Sequence, residues 1–573
     1  MEVRAIATSA CLALRGEAAF CTSGDNREQA LSTNKNFGLT STTEILLTSE
    51  AGDKMSVVPN QPFTTECEES DKRVVIQPDI TKQTITGIGA SFTESAAFVL
   101  AHLPPAKRHE VMEKLYAESG ANFSLTRTPI GSTDFSVEGK LSYAEVEGDT
   151  TLEHFTIEPD SNGFSKAKYP GIQDESFDVL PMIKEAQSIK AIQDDSSLNI
   201  IASAWTAPPW MKDINTWFIK GSEKNDWEGT GGSLKPGYES TYADYLVKYL
   251  DHYKEAGVDI WGLTPVNEPH GNSGNWESMH FSAESQNTFI KTFLGPALKE
   301  SAFSDTRLLI YDQNRDHLEH WTDIILSDPD TATYVYGSAV HWYSSTVDVY
   351  EKVLEKVHKK FPDFAIIHTE GCIDDLGKPA PKGILDPVKF QESGWFDNDG
   401  FWWNENATDW AYTATWAPNP ENHPIYTPVH RYARDIIVGF NHWMNGWVDW
   451  NAVLDAKGGP NHAGNFCGAP IMIDTETGHV YYTPIYHVLA QFSRTIRPGD
   501  QAVKTDTVLG GLGHDDLHAS ATLNQSGLLS VQLLNTTKKS IQFNLRIGAQ
   551  VAQITLPANA LQTVRVQLLR IGA

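Results

Sequence analysis

The middle of this 573-residue chain alternates short apolar segments with longer amphipathic ones, and this alternation is its most constraining feature. Helix-like segments, such as residues 104–120 and 240–257, lie between several of the apolar segments. The apolar segments, in chain order, are TITGIGAS, FSLTRTPI, IIASAWTAPPW, IWGLTPVNEP, RLLIYD, GSAVHWY, FAIIHTEG and MNGWVDWN. Strands that alternate with helices form parallel sheets. Eight strands therefore predict an α/β fold, a (β/α)8 TIM barrel, with a doubly wound open sheet as the alternative.

The helix-like segment 240–257 shows how such a barrel would be covered on its outside. Apolar residues recur there at the i, i+3, i+4, i+7 spacing, at Tyr242, Tyr245, Leu246 and Tyr249. This spacing places side chains on one face of a helix. Gly257 follows, and glycine commonly ends helices because it adopts a left-handed conformation without penalty. The pattern predicts a helix packed along one side.

Both ends of the chain carry β-strand patterns of a different kind. TEILLTSE, KMSVVP and RVVIQP stand near the start, and LLSVQLLN, SIQFNLRI, AQITLP and TVRVQLL near the end. Short β-rich runs separated by turn residues indicate antiparallel strands, so the two ends predict one discontinuous all-β sandwich. The predicted divisions are a polar tail at 1–40, sandwich at 41–79, barrel at 80–496 and sandwich again at 497–573.

The charge of the chain excludes several classes of partner. Asp and Glu total 73 against 45 Lys and Arg, a formal net charge of -28. Such a surface repels DNA, RNA and anionic membranes, so we expect no nucleic-acid partner. No run of ~18 uninterrupted apolar residues occurs, so no transmembrane segment is expected, and contact with lipid would be peripheral at most.

Metal, nucleotide and disulfide motifs are absent from the sequence. There is no GxxxxGK[ST], no HExxH and no CxxC, so we predict no metal and no cofactor. The five cysteines leave room for one or two bridges near the N-terminus, and they are Cys11, Cys21, Cys67, Cys372 and Cys467. A short apolar run between Arg4 and Arg15 resembles a weak or truncated signal peptide, although Arg15 suits one poorly. A secreted, periplasmic or lysosome-like location and a cytoplasmic one both stay open.

Polar and aromatic residues stand at the carboxyl ends of nearly all predicted strands. In a (β/α)8 barrel this is the edge that carries catalytic side chains. The residues, in order, are Arg127, Trp205, Asn267-Glu268, Asp312, His341-Trp342-Tyr343, Glu370 and Trp450-Asn451. One charged residue after a strand is usually a solvated loop residue, but seven coincident ends predict a site.

Two glutamates in this set, Glu268 and Glu370, lie 102 residues apart. A βα unit takes ~30 residues or somewhat more, so this interval spans about three units and places the glutamates after strands four and seven of the barrel. Two carboxyl groups that face one pocket are what glycosidic bond cleavage requires. A separation of ~5–5.5 Å gives retention and ~6.5–9.5 Å gives inversion, and the sequence leaves both open.

The neighbours of the glutamates suggest their roles. We expect Glu268 to be the general acid/base, with Asn267 beside it as a neutral donor to the sugar 2-hydroxyl. Arg127 is expected to hold Glu370 ionised, because a nearby cation favours a carboxylate. A salt bridge within the barrel core is an equally good interpretation of Arg127, and the two are compatible.

These segments together resemble glycoside hydrolase family 30, and within it the glucosylceramidases. The resemblance covers roughly residues 80–500 and, more weakly, the β-rich ends. Asn-Glu-Pro alone occurs in many barrel glycosidases, whereas the ordered set of nine segments is highly specific. The nine are GIGASFTESAA (87–97), LTRTPIGSTDFS (125–136), ASAWTAPPWMK (202–212), LTPVNEP (263–269), AVHWY (339–343), HTEGC (368–372), GWVDWN (446–451), GGPNH (458–462) and YHVLAQFSRTIRPG (486–499).

The resemblance implies a retaining mechanism in which Glu268 is the acid/base and Glu370 the nucleophile. It further implies five residues that hold the glucose ring: Asp134, Trp205, Asn267, Trp450 and Asn461. Tyr343 and His341 match positions that line the same cleft, and His341 is expected to support the site rather than react. From the residues alone, Asp134 is equally a turn cap and Trp205 equally ordinary core.

The chain departs from the family pattern beside the pocket. A tryptophan-rich stretch at 394–416 makes the interval before Trp450 longer than the family leads us to expect, and segment 271–281 directly follows the acid/base. We expect both on the leaving-group side, the first as a lid or aglycone wall rather than a partner site. They leave the natural aglycone open.

The sequence therefore predicts a retaining β-glucoside hydrolase, specifically a glucosylceramidase that cleaves glucosylceramide. A β-1,6-glucanase or general β-glucosidase of the same family is the first alternative. A non-catalytic carbohydrate- or lipid-binding barrel is the alternative of another class, although binding alone does not need a pair of carboxylates.

Overall fold

The computed structural model describes residues 37–65, 70–220, 229–272, 274–345, 348–372 and 427–570. Three of the cysteines (Cys11, Cys21 and Cys67), the possible signal segment and the stretch 394–416 lie outside these residues, so the predictions about them stay predictions. The predicted tail at 1–40 ends within a strand that begins at Phe37.

Three strands at the start of the chain precede the barrel: β1 (Phe37–Ser49), β2 (Ser56–Val57) and β3 (Arg73–Thr84). Eight parallel strands then follow, and from the second onward each pairs with the next one in chain order. They are β4 (Gly87–Ala90), β5 (Leu125–Ile130), β6 (Asn199–Ala204), β7 (Gly262–Thr264), β8 (Arg307–Asn314), β9 (Val335–His341), β10 (Ala365–Glu370) and β11 (Met444–Asp449). Each overlaps one of the eight apolar segments of the sequence.

The sheet closes on itself between its first strand, β4, and its second, β5. The strand β11 pairs with the other edge of β4. The backbone N–H of Ser124 donates to the carbonyl of Ile88 at 3.1 Å, and that of Phe92 donates to Arg127 at 2.8 Å. The predicted (β/α)8 barrel is confirmed and the open sheet is wrong. Its interior is filled by Leu125, Ile201, Leu309, Ala339, Ala365, Ile367 and Val448.

Helices connect the barrel strands and cover them. They are α1 (Glu94–Ala101), α2 (Pro105–Tyr116), α3 (Val179–Ala191), α4 (Glu239–Glu255), α5 (Ala283–Phe289), α6 (Gly295–Glu300), α7 (Leu318–Ile325), α8 (Pro329–Ala332), α9 (Glu351–Lys360), α10 (Thr427–Asn441) and α11 (Pro484–Thr495). A π-helical turn, Ile290–Leu294, joins α5 to α6. Within the described residues, no helix combines the length and apolar character needed to cross a bilayer.

The predicted amphipathic helix is α4. The residues of its apolar stripe are all buried, at Tyr242, Tyr245, Leu246 and Tyr249. Gly257 follows the helix with φ +87°, the left-handed conformation expected of a helix stop.

The remaining strands form a small sheet and the β-sandwich. The small sheet contains β12 (Val453–Asp455), β13 (Ile471–Asp474) and β14 (His479–Tyr482). The sandwich adds β15 (Gln501–Val508), β16 (Leu517–Leu523), β17 (Leu528–Asn535), β18 (Ile541–Ile547), β19 (Gln550–Leu556) and β20 (Ala560–Arg570). Its strand order is β19-β18-β3-β15-β16-β17-β20-β1-β2, so both chain ends build one domain with its own apolar core, as predicted.

The sandwich is fixed to the barrel through α10 and α11. Gln491 in α11 accepts a hydrogen bond from Thr48 at 2.6 Å and donates to Thr563 at 2.9 Å. Asn441 in α10 donates to the carbonyl of Ala519 at 2.7 Å. These contacts lie away from the carboxyl ends of the barrel strands, where the candidate site is found.

Candidate active site

Glu268 stands four residues after β7, where the strand has already left the sheet. Its backbone has φ +47°, an uncommon left-handed conformation for a residue with a side chain. The conformation is held by the N–H of Glu268, which donates to the carbonyl of Asp312 at 3.0 Å. Its side chain is 16% exposed. The strained turn therefore directs a partly accessible carboxyl group into the mouth of the barrel.

Glu370 is the last residue of β10 and is more deeply buried, with 6% of its side chain exposed. One carboxylate oxygen forms an ion pair with Arg127, and the other accepts a hydrogen bond from the Tyr343 hydroxyl at 3.1 Å. Burial raises the pKa of Glu370, while the positive charges of His341 and Arg127 oppose that effect. Two cations thus hold this buried carboxylate.

The two glutamates meet as the sequence interval predicts. They follow the fourth and seventh strands of the barrel. One oxygen of Glu268, one oxygen of Glu370 and a ring nitrogen of His341 all lie within 4.8 Å of one another. The two carboxyl groups therefore face one small space rather than separate surfaces.

Arg127 is the centre of the buried charge network. It is fully buried, and its side chain points across the barrel from β5. Besides the ion pair with Glu370, it donates to Asn267 Oδ1 at 2.6 Å and to Asp312 at 2.7 Å. The contact to Asn267 fixes which end of that amide faces the arginine, so the amide nitrogen is turned the other way. Both interpretations of Arg127, carboxylate partner and core salt bridge, describe its contacts.

His341, at the end of β9, lies between two acidic groups. Its Nδ1 is 3.2 Å from Glu268 Oε1 and its Nε2 is 3.0 Å from Asp312 Oδ1. Burial alone would lower the pKa of His341, but the charge of Glu370 and the contacts to Asp312 and Glu268 raise it to about 9. Glu268, His341 and Glu370 have the spacing of a cation site, yet a protonated imidazole has no lone pair to offer a metal.

Asp312 was noted in the sequence only as a strand end, and the structure gives it a central place. It accepts hydrogen bonds from Thr264 and Thr369, both at 2.7 Å, in addition to those of Arg127 and His341. Burial would raise the pKa of Asp312, but the charge of Arg127 and the hydrogen bond of His341 lower it well below its ordinary value. It is a permanently ionised anchor for both cations.

An aromatic wall stands beside these charges. The rings of Trp205 and Trp450 are stacked, with centroids 4.9 Å apart and planes 13° from parallel. Phe135 meets Trp450 edge-on at 5.9 Å. The Arg127 guanidinium lies 4.7 Å from the Trp205 ring centroid. Both predicted tryptophans thus line the side of the pocket next to the buried arginine.

Asp134 lies in the loop after β5 and faces the loop that follows β12. Asn461 and Asn465 of the second loop each donate an amide hydrogen to its Oδ2 at 3.2 Å. Burial, with the charge of Glu370, raises the pKa of Asp134 to about 7. The sequence singled out Asp134 and Asn461 but missed Asn465, for which only proximity to GGPNH was a signal.

Most hydrogen bonds of the Asn461 amide lie within its own loop. Its nitrogen donates to Asp134 and, at 2.9 Å, to the carbonyl of Asn465. Its oxygen accepts from the backbone N–H groups of Ala463 and Asn465, both at 3.0 Å. The structure therefore uses Asn461 to shape the loop, and Asn465 is the amide with fewer such contacts.

Two residues of segment 271–281 contact the loop that carries Asn461, and the expected place of this segment beside the leaving group stays a prediction. Asn275 donates to the carbonyl of Ala463 at 3.4 Å, and the buried Glu277 contacts the ring of His462 at 3.0 Å. The segment packs here because its carboxylate meets the histidine of the Asn461 loop. The other expected wall, 394–416, lies outside the described residues.

Comparison with known protein families identifies the family to which the chain belongs. The TIM-barrel domain of glycosyl hydrolase family 30 matches residues 85–381 and 423–496, and the β-sandwich domain of the same family matches 502–564. The chain belongs to glycosyl hydrolase family 30. It is accordingly a glycoside hydrolase, and the non-catalytic alternative is wrong. The family resemblance of the nine sequence segments is confirmed.

Curated proteins that are similar to this chain carry names that refer to different glycosides. The lysosomal acid glucosylceramidase of Mus musculus is 28% identical, over 82% of this chain and 79% of the relative. An endo-1,6-beta-D-glucanase of Neurospora crassa is 26% identical, over 74% of this chain and 72% of the relative. Among solved structures, SrfJ from Salmonella typhimurium superposes with a TM-score of 0.72 at 21% identity, covering 92% of this chain and 99% of SrfJ. That last match supports the fold alone.

Proposed function

We propose that this family 30 enzyme is a retaining β-glucosidase of the glucosylceramidase type, which hydrolyses glucosylceramide to glucose and ceramide by double displacement. One observation carries the proposal: an oxygen of Glu268 lies within 4.8 Å of an oxygen of Glu370. Retaining glycosidases hold their two carboxyl groups ~5–5.5 Å apart, whereas inverting ones need ~6.5–9.5 Å to admit a water.

Glu370 is the proposed nucleophile. Its oxygens are oriented by Arg127 and by the Tyr343 hydroxyl, and it is the less exposed of the two glutamates. In the first step a carboxylate oxygen of Glu370 bonds to the anomeric carbon as the bond to the leaving oxygen breaks. The product is a glucosyl ester on Glu370, and the leaving oxygen takes a proton.

Glu268 is the proposed source of that proton. Its greater exposure and left-handed backbone place it toward the mouth, where a leaving group departs and water enters. In the second step Glu268 takes a proton from water, the water oxygen attacks the anomeric carbon, and the ester to Glu370 breaks.

The glucose ring is proposed to lie between Asp134 and the tryptophan wall. Asp134 would accept from ring hydroxyls, and Trp205 and Trp450 would bound the apolar side of the sugar. Asn267 has its amide nitrogen free of Arg127 to donate to the 2-hydroxyl. Asn461 is proposed to support Asp134 rather than to touch the sugar, since its amide is used within its loop.

The identity of the proposed aglycone is inferred from similar proteins. The glucosylceramidase similarity favours ceramide, and the similarity to an endo-1,6-beta-D-glucanase favours β-1,6-glucan as the second candidate. The lysosomal relative also supports a lysosome-like or secreted location, with at most peripheral lipid contact. Both candidates share the same first chemical step, so the site alone does not separate them.

Two measurements test the proposal. Proton NMR of the first product from 4-nitrophenyl β-glucoside should show β-glucose, because two inversions retain configuration; α-glucose would exclude double displacement. Competition between glucosylceramide in detergent micelles and short β-1,6-glucans then tests the aglycone. Preference for the micellar lipid is the expected result, and preference for the glucan would replace ceramide with the second candidate.

A further inference from the structure

The buried carboxylate of Glu277 has no part in the chemistry described so far. It is fully buried although it is charged, and a buried carboxylate is costly unless it is paired and hydrogen-bonded. Its sequence neighbours, NWESMHF, fall in segment 271–281. A carboxylate in this position therefore needs specific partners that stabilise its charge.

Glu277 connects three loops at the carboxyl edge of the barrel. Its Oε1 accepts from the Ser132 hydroxyl at 3.0 Å and from the backbone N–H of Lys140, both in the loop after β5. Its Oε2 is 3.0 Å from Nε2 of His462, in the loop after β12. Glu277 itself stands in the loop after β7. One carboxylate therefore ties together loops from three parts of the barrel.

His462 completes the connection to the sugar pocket. Its Nε2 faces two acceptors, Glu277 and the carbonyl of Thr133 at 2.9 Å, so this nitrogen carries the hydrogen. Its backbone N–H donates to the carbonyl of Asp134 at 3.1 Å. The ring is packed so tightly against Gly139 that a Cβ on that glycine would collide with it. The histidine is thus clamped between the loop of Asp134 and the carboxylate of Glu277.

The two partners stabilise each other's charge. Burial alone would lower the pKa of His462, but the contact with Glu277 raises it. Burial would raise the pKa of Glu277, but the hydrogen bond and charge of His462 lower it. His462 lies one residue from Asn461 and three from Asn465, the two amides that donate to Asp134. Movement of His462 would therefore move both donors.

We propose that Glu277 and His462 are positioning residues that hold the Asn461–Asn465 loop against Asp134 and so set the affinity of the pocket for the sugar ring. The proposal rests on the proposed role of Asp134 as a sugar ligand. Neither residue reacts with the substrate. Loss of the pair should mainly raise KM, because Asp134 loses its fixed orientation, while the Glu268–Glu370 pair remains intact.

A double-mutant cycle tests the proposal. At pH 8, Glu277→Gln and Asp134→Asn are each expected to raise KM roughly tenfold, and the double variant to raise it little beyond Asp134→Asn alone. His462→Gln removes the other partner of the pair and should raise KM to a similar extent, so it serves as the test if Glu277→Gln folds poorly. The cycle uses the aryl β-glycoside that the wild-type chain hydrolyses fastest, so a failure of glucoside specificity is seen separately.

Glu185→Gln is the matched control. Glu185 pairs with a histidine and an arginine, His109 at 2.8 Å and Arg108 at 3.2 Å, on the outer helices α2 and α3. Its loss should leave KM unchanged. The proposal is overturned if Glu277→Gln and Asp134→Asn multiply their effects on KM, or if folded Glu277→Gln and His462→Gln variants keep the wild-type KM.

Discussion

The two halves of this site are built in different ways. The half proposed to react, Glu268 and Glu370 with the groups around them, stands on barrel strands or within four residues of their ends and is held by ion pairs. The recognition half, Asp134 with its two asparagines, stands on loops and is held by neutral amides around a carboxyl group with a pKa of about 7. Rigid strands suit the fixed geometry that the proposed reaction needs, whereas loops suit the proposed contacts to one particular sugar.

The largest expected effect comes from the strand-borne half. Glu370→Gln removes the proposed nucleophile but keeps its shape, so kcat for 4-nitrophenyl β-glucoside should fall about 10⁴-fold or more. The unfolding temperature should stay close to that of the wild type, which calorimetry checks. A folded variant that keeps a tenth of the wild-type kcat would mean that another group forms the bond.

Glu268→Gln should separate the two roles within the same half. Loss of a general acid/base costs about 10²–10⁴-fold, and the cost should be smallest for a leaving group that needs no proton. Azide should restore turnover, because it attacks the glucosyl ester without base assistance, and the product should be β-glucosyl azide. An α-glucosyl azide product would contradict the assignment of Glu268. Restoration of turnover by azide in Glu370→Gln instead of Glu268→Gln would contradict it as well.

The loop-borne half should respond through KM and through pH. Asp134→Asn imitates the protonated carboxyl group, and the pKa of Asp134 is raised to about 7 by burial. The KM of the variant should therefore be close to the wild-type value at pH 5 and roughly tenfold higher at pH 8, where the wild-type carboxyl is ionised. KM values at the two pH values, with 4-nitrophenyl β-glucoside, check this. An equal increase at both would show that protonation of Asp134 has no part in recognition.

The smallest expected effect concerns stability. Burial raises the folded-state pKa of Glu94 and Asp160 to about 7. The neighbouring carboxylates raise the folded-state pKa of His341 to about 9. The folded chain thus binds more protons than the unfolded chain between the ordinary and the raised pKa values, so these groups lose stabilising effect as pH rises. His270 and His518, lowered to about 4, act in the opposite direction only below about pH 6.5.

Burial also lowers the pKa of Lys190 to about 8 and that of Lys212 to about 7, so these lysines oppose the raised groups above pH 7. Comparison with Asp160→Asn isolates one raised group: the unfolding temperature of the wild type relative to the variant should fall by a few degrees between pH 4 and pH 7. Calorimetric scans at constant ionic strength measure it. A rise across the same interval would contradict the protonation states assigned to the buried groups.

The same division separates what the sequence predicted from what it did not. The alternation of strands and helices predicted the barrel, with an open sheet as the alternative. The interval between Glu268 and Glu370 predicted that both lie at one edge, because the positions of residues near strand ends follow from sequence spacing. The contacts of Asn465, Glu277 and His462 join loops whose paths spacing does not determine. Asp312 was visible as a strand end, but its role depends on the cations that the closed barrel brings to it.

A covalent bond between the sugar and Glu370 is the central step of the proposed mechanism. Treatment with 2-deoxy-2-fluoro-β-glucosyl fluoride should form a slowly hydrolysed ester, because the fluorine at C2 disfavours the cationic transition state of both steps while fluoride leaves readily. Mass spectrometry should find one fluoroglucosyl group on the peptide that contains Glu370 and none on Glu370→Gln. A label on a different residue, or turnover with inverted product and no label, would contradict the proposed mechanism.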